Sequence, residues 1–353
     1  MQPLIVAAGR FTAEHAQRIA EGKEPRLDVF ELRDALRGRL MDFADLDRST
    51  RAEIPLMRRM VGDSAALAWL AVRERNGADV FLTTGEDIGI PLAMLLKAAK
   101  PAGHAMIAHT LHPAKKRVFY TRLKAWKQTE RILCYATSEE QLMTGPLGIP
   151  AAQVRRIAYH ADERFFAPRP EVPIEPDLLC GAGQLLRDYH TLIRATEGLG
   201  VRVRIAAGSP WIASELKADR ALPEYVDWRK YDRFALRELY ARSAIAVVPL
   251  FENDYQTGIS TILEMMAMGK ALIVSKTRGQ TDTIVDGENG LYVPPGDAAA
   301  LRAAIERLRQ DPAEAARLGR NARRYVEERA GLDLFTRELV RATTEAHAAR
   351  FGG

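Results

Sequence analysis

The sequence predicts an α/β protein built from two doubly wound domains, and three observations carry that prediction. Short apolar runs alternate with longer helix-patterned stretches along the 353 residues. The rhythm halts at a proline cluster near residue 170 and then resumes. The runs are apolar on both faces, as strands of a parallel sheet covered by helices must be. A chain of this length is also too long for one simple core.

Taken in order, LIVAA (4–8), ADVFLTT (78–84), HAMIAHT (104–110) and RILCYATS (131–138) read as strands of a first domain over 1–166, with helices such as 86–99 between them. The opening MQPLIVAAGR lacks a basic lead-in, so it reads as a first strand and not as a signal peptide. FFAPRPEVPIEPD (165–177) carries Pro168, Pro170, Pro173 and Pro176. Proline stiffens the chain and removes backbone donors, so 167–177 is expected to be a linker. LLCGAG (178–183), VRVRIAAG (201–208), AIAVVPL (244–250) and ALIVSKT (271–277) repeat the strand rhythm in a second domain over 178–332. A last helix over 333–353 is expected to cross back to the first domain. Ligands of such sheets sit at the carboxyl ends of the strands.

Composition narrows the function classes. Hydrophobic residues at 47% and charged residues at 27% describe a soluble globular chain. There is no apolar run of about 18 residues that would predict a transmembrane helix. Cys134 and Cys180 lie in apolar runs, which fits reduced, buried thiols of a cytoplasmic protein and gives no zinc spacing. A net charge of +5 attracts nucleotides, anionic lipid or nucleic acid alike and selects none of them.

The chemistry gathers in YQTGISTILEMMAMGK (255–270). Pro249 ends a strand, FENDYQTGIS forms a polar loop, and a helix follows over about 260–268. The amides of Gly258, Ile259, Ser260 and Thr261 would point off that helix start, which is a ready anion site. Glu264, one turn in, either accepts hydrogen bonds from vicinal hydroxyls such as those of a ribose, or is a core acid paired with a buried arginine while Ser260 simply caps the helix.

From about Leu239 to Gln310 the sequence resembles the family-4 retaining glycosyltransferases of the GT-B fold. The likeness is carried by ELYARSAIAVVPL (238–250) and LEMMAMGKALIVSKTRGQTDTIVDGENGLYVPPGD (263–297), followed by a helix and Asp311-Pro312. The resemblance implies two Rossmann-like domains facing across a cleft, a nucleotide-diphosphate sugar as donor, hexosyl transfer with retention, and no metal or other cofactor. It makes Glu264 the ribose ligand and Gly258 to Thr261 the amides that hold donor sugar and diphosphate. Gln256 stands where the family has its first glutamate, with Glu252 and Asp254 nearby. In GAGQLLRDYHTLIRA (181–195), Arg187 matches the lysine of the diphosphate clamp and Gln184 occupies the neighbourhood of its arginine. Arg187 is otherwise a solvated helix-start cation. His109, at a strand end, corresponds to a histidine facing the donor sugar; a structural role is the alternative. Gly9, followed by Arg10, replaces a glycine pair after the first strand, and Tyr159 and His160 replace a common Pro-Asn-Gly segment. His109 and His112 without a nearby acid are a weak metal set.

PAKKRVFYTRLKAWKQTER (113–131) holds seven cations, among them Lys115, Lys116 and Arg117, against one acid, Glu130. Phe119, Leu123 and Trp126 fall on one helical stripe. The stripe either packs on its own domain or docks the helix on anionic lipid at the inner face of a membrane. The leading expectation is therefore a sugar-transferring enzyme whose acceptor is a lipid, a polysaccharide or a small molecule. A nucleotide-sugar binder without transfer activity is the alternative. Nucleic acid is not expected as a partner, because the basic residues are not interleaved with a known binding module.

Overall fold

The structure, a computed structural model, describes residues 1–208 and 222–352. Residues 209–221, inside the expected second domain, and Gly353 lie outside the described residues. The chain divides into two compact units, one of residues 1–17, 26–158 and 333–353, the other of residues 18–25 and 159–332. The final helix, Leu332–Phe351, thus counts almost wholly with the first unit.

The first unit holds a six-stranded sheet of β1 (Pro3–Val6), β2 (Arg39–Met41), β3 (Val80–Thr83), β4 (Gly103–Ile107), β5 (Arg131–Cys134) and β6 (Val154–Arg156). Its order is β2-β1-β3-β4-β5-β6, every pairing parallel. The central strands β1, β3 and β4 are buried at every position, which is why they read as unbroken apolar runs. On one face Leu4, Val6 and Phe81 pack against Leu67 and Leu70 of the helix Ile54–Arg73. On the other, Met106, Ile132 and Cys134 meet Tyr120 and Met143. Each such side chain removed from water contributes about 1.5–3 kcal/mol.

The second unit holds β7 (Glu175–Ala182), β8 (Arg202–Ala206), β9 (Val226–Arg229), β10 (Ser243–Val248), β11 (Ala271–Ser275) and β12 (Leu291–Val293). The order is β12-β11-β10-β7-β8-β9, again parallel throughout. Leu179, Ile245, Val247 and Ile273 pack against Leu301 and Ile305 of the helix Ala298–Gln310. Strand order reverses between β7 and β10, so the loops that leave these two strands open the crevice where such sheets take ligands.

The two compact units divide at 158/159. The proline stretch is held by the second unit, because the Arg323 guanidinium donates to the carbonyls of Glu163, Phe166 and Ala267, and Arg169 pairs with Glu238. The single basic helix expected over 113–131 is broken. A helix runs Ala114–Thr121, Lys124 turns left-handed at φ 49°, and a short 3-10 turn covers Ala125–Gln128. The turn at Lys124 takes Leu123 off the stripe and leaves it exposed, while Tyr120 is the buried ring. Cys134 and Cys180 are buried thiols outside any disulfide, and burial pushes the Cys180 thiol up to about 11.

Candidate functional site

At the end of β7 the chain turns through Gly183 (φ +99°) and Leu186 (φ 53°). Arg187 then bridges antiparallel to Leu250, just past β10. Two hydrogen bonds lock the loops together, Asp188 N to Pro249 O and Phe251 N to Leu186 O, both 3.1 Å. Beyond Phe251 the loop is wound around Asn253, whose Oδ1 accepts from the Thr257 hydroxyl at 2.9 Å and whose Nδ2 donates to Phe251 O at 2.8 Å. The helix Ile259–Ala267 follows, with Gly258 (φ 81°, ψ 4°) as its N-cap and no side-chain cap. Ser260 therefore does not cap this helix. It lies inside the first turn, and the amides of that turn have no side-chain acceptor at the cap.

Arg187 sits against this helix start. It is 7% exposed, far from the solvated cation of the simplest reading. Its Nε donates to Ala182 O (3.0 Å), Nη1 to Leu185 O (2.7 Å) and Nη2 to Thr261 Oγ1 (3.4 Å). A guanidinium carries five N–H groups, so the three bonds leave two. Among the described residues no carboxylate forms an ion pair with it. Burial pulls its pKa below the ordinary arginine value, with the fields of Tyr189, Tyr240 and Glu264 acting the other way. A buried cation held by neutral oxygens beside free helix-start amides is electrostatically unsatisfied, and a polyanion is the group that completes it.

Glu264 faces inward from the next turn. Its carboxylate accepts from Arg233 Nη1 at 2.9 Å and from the Tyr240 hydroxyl at 3.3 Å. Burial raises its pKa, and Arg233 opposes the shift. The arginine foreseen for Glu264 as a core acid is thus present, as Arg233. Gln256 is turned away from open solvent. Its Nε2 donates to Thr283 Oγ1 at 3.3 Å, while its Oε1 is buried without a partner. The neighbouring Gln280 is wholly buried, donates to Thr257 O at 3.1 Å, and likewise leaves its Oε1 unmatched. Glu252 and Asp254 pair with Arg278, and Gln184 is exposed.

In the first unit His109 lies just past the end of β4, exposed, with Nε2 3.0 Å from Thr84 O and its ring 5.4 Å from that of Tyr135. Two buried acids missed in the sequence organise its loop. Glu86 accepts from His109 N at 2.8 Å and pairs with Lys116 at 2.6 Å, and Glu139 accepts from Leu111 N at 3.1 Å. Acids at the first turns of the helices Glu86–Leu96 and Thr137–Thr144 were the available signal. Gly9 follows β1, but the Phe11 ring fills the space above it: an added Cβ would meet Phe11 Cζ at 2.6 Å. Among the described residues no cluster of three His, Cys, Asp or Glu side chains is placed to hold a metal.

Residues 181–311 match the model of the family described as Glycosyl transferases group 1. That stretch of the chain is similar to the group 1 glycosyl transferases. The chain is 26% identical over 207 residues to the D-rhamnosyltransferase WbpZ of Pseudomonas aeruginosa, covering 57% of this chain and 49% of that protein. It is 25% identical over 240 residues to a glycogen synthase of Mycobacterium tuberculosis, covering 64% of this chain and 56% of the relative. The chain therefore spans about half the length of the curated relatives it matches. Among solved structures it resembles the sucrose-phosphate synthase of Thermosynechococcus elongatus, at TM-score 0.75 and 17% identity over 99% of this chain and 100% of that one. It also resembles Anabaena HepE in complex with UDP-glucose, at TM-score 0.72 and 15% identity over 97% of this chain and 99% of that one. The fold is GT-B, with two Rossmann-like parallel sheets.

Proposed function

We propose that this protein transfers a hexosyl group from a nucleotide-diphosphate sugar to an acceptor, with retention at the anomeric carbon and without a metal. The observation that carries the reading is the buried, carboxylate-free Arg187 beside the uncapped helix start at Gly258, at the point where the strand order reverses. The family match and the likeness to HepE, which is seen with UDP-glucose, support a nucleotide-sugar as donor.

On this reading the diphosphate rests on the amides of Ile259, Ser260 and Thr261 and takes the two remaining N–H groups of Arg187. As the bond to the sugar breaks, charge grows on the departing phosphate, and a fixed cation among low-dielectric walls stabilises that charge more than the ground state. The departing oxygen accepts the acceptor's proton on the same face, and alignment of the reactants supplies the rest of the acceleration. Glu264, held in orientation by Arg233 and Tyr240, offers its carboxylate to the ribose hydroxyls.

A second reading, a nucleotide-sugar binder without transfer, draws on Gln256, whose amide is tied to Thr283 where a sugar contact was expected. Incubation with a panel of nucleotide-sugars, followed by thermal shift and nucleotide release, separates the two. Transfer predicts stabilisation together with release, and the binder predicts stabilisation alone. No stabilisation by any donor would refute both.

A further inference from the structure

The first unit carries a surface to which the proposed transfer assigns no residue. Gly62 (φ 82°, ψ 168°) breaks the helix Ile54–Arg73 and leaves its first two turns as a separate arm. Three large apolar side chains project from that arm: Leu56 is 60% exposed, Met60 72% and Val61 54%. Beneath the arm runs a groove of about 760 Å³, lined chiefly by Met57, Met60, Val61, Trp69, Met94 and Phe119. That volume lies in the range of small-molecule sites, and its lining is unpartnered apolar surface of the kind that marks an interaction.

The rim is basic. Lys115 borders the groove, and Arg117, Arg122 and Lys124 extend from it, all exposed and none paired with a carboxylate among the described residues. The acids nearby are already engaged: Glu86 and Asp87 with Lys116, Asp63 with Arg58. Lys116 is thus an internal partner and no part of the rim. Val118 and Leu123, 44% and 43% exposed, stand among the free cations. Cations alone would suit any polyanion. Free cations interleaved with exposed aliphatic side chains, above a groove of methionine and aromatic surface, suit one that is anionic outside and apolar within.

We propose that this face seats on an anionic lipid bilayer, with Lys115, Arg117, Arg122 and Lys124 at the headgroups and the groove under Met60 and Val61 taking a lipid chain. The proposal does not rest on sugar transfer, and its test needs no nucleotide-sugar.

The test floats the full chain with phosphatidylcholine vesicles, with and without phosphatidylglycerol. Partitioning is expected to require phosphatidylglycerol and to weaken with salt. Replacing Lys115, Arg117, Arg122 and Lys124 together by serine should lower it by about ten-fold or more. The pair Met60→Ser and Val61→Ser should also lower it while leaving the salt dependence intact. Chain-brominated phosphatidylglycerol should quench tryptophan fluorescence in the parent, and Trp69→Phe should remove that part of the signal. The substituted positions are exposed, and an unchanged thermal midpoint verifies the fold. If a combined variant loses stability, the single changes Lys115→Ser and Met60→Ser carry the same test with smaller shifts. Equal binding to both vesicle types, variants that bind as the parent does, or a Trp69 that brominated lipid does not quench would each overturn the proposal.

Discussion

The guanidinium of Arg187 occupies the space that a side chain on Gly258 would need. A Cβ built on Gly258 would lie 3.1 Å from both Nη1 and Nη2, and one on Gly183 would lie 2.3 Å from Nη2. Both glycines have positive φ, +81° and +99°. Two bare backbone positions thus let a cation reach the start of a helix from the side and stay there.

Gly258→Ala is accordingly predicted to destabilise the second unit by about 1–2 kcal/mol through left-handed backbone strain. It should also weaken nucleoside diphosphate binding, because the methyl crowds the guanidinium. Urea unfolding of the variant measures the first effect. A midpoint equal to the parent's would show that the loop has room to relax.

Gln256→Glu decides what that side chain faces. With Oε1 buried and Gln280 Oε1 also unmatched nearby, a carboxylate there would be desolvated without a cation. The expected loss of stability is about 1–3 kcal/mol. A variant as stable as the parent, with altered preference among nucleotide-sugars, would instead put the side chain in contact with the donor.

Glu264→Gln removes the charged acceptor of Arg233 and Tyr240. Since Arg233 is about half exposed, screening reduces the loss, and about 1–2 kcal/mol is expected. Nucleoside, nucleotide and nucleotide-sugar should weaken by similar factors if the carboxylate holds ribose. Calorimetry that found the free nucleotide unaffected would reduce Glu264 to a structural acid.

His104 makes the first unit acid-sensitive. It is wholly buried in β4, between the hydroxyls of Thr83 (3.0 Å) and Thr129 (3.1 Å), and burial lowers its pKa to about 3. The unfolded chain takes up that proton near pH 6.5 and the folded chain does not, so stability falls as pH drops from about 6.5 toward 3. At about pH 5 the loss is about 2 kcal/mol. His104→Gln should flatten that part of the profile in denaturant titrations, and an unchanged slope would assign the acid sensitivity elsewhere.

What the sequence disclosed follows from burial. The eight strands legible as apolar runs are the inner strands of the two sheets, while β2, β6, β9 and β12, which were not foreseen, are the four sheet edges. An edge strand is covered less completely: β2 and β6 are largely exposed or half-buried, so no continuous apolar run marks them. The loop and helix around Gly258 were readable because glycine, a polar loop and an amphipathic start lie in one short segment. Arg233 lies 31 residues before Glu264, and Thr283 lies 27 after Gln256. Such partners are set by sheet order, which no local pattern encodes. The break at Lys124 was equally hidden, since a lysine with positive φ has no composition signal of its own.

The central claim is that Arg187 is a diphosphate ligand. Calorimetric titration of a nucleoside diphosphate against the parent, Arg187→Lys and Arg187→Ala tests it most directly. A charge-assisted contact of about 1.5–3 kcal/mol predicts at least ten-fold weaker binding to Arg187→Ala. Arg187→Lys should fall between, keeping the charge but losing the fork. The corresponding nucleoside, which lacks phosphate, should bind all three folded proteins alike. Equal affinity of parent and Arg187→Ala for the diphosphate would contradict the account.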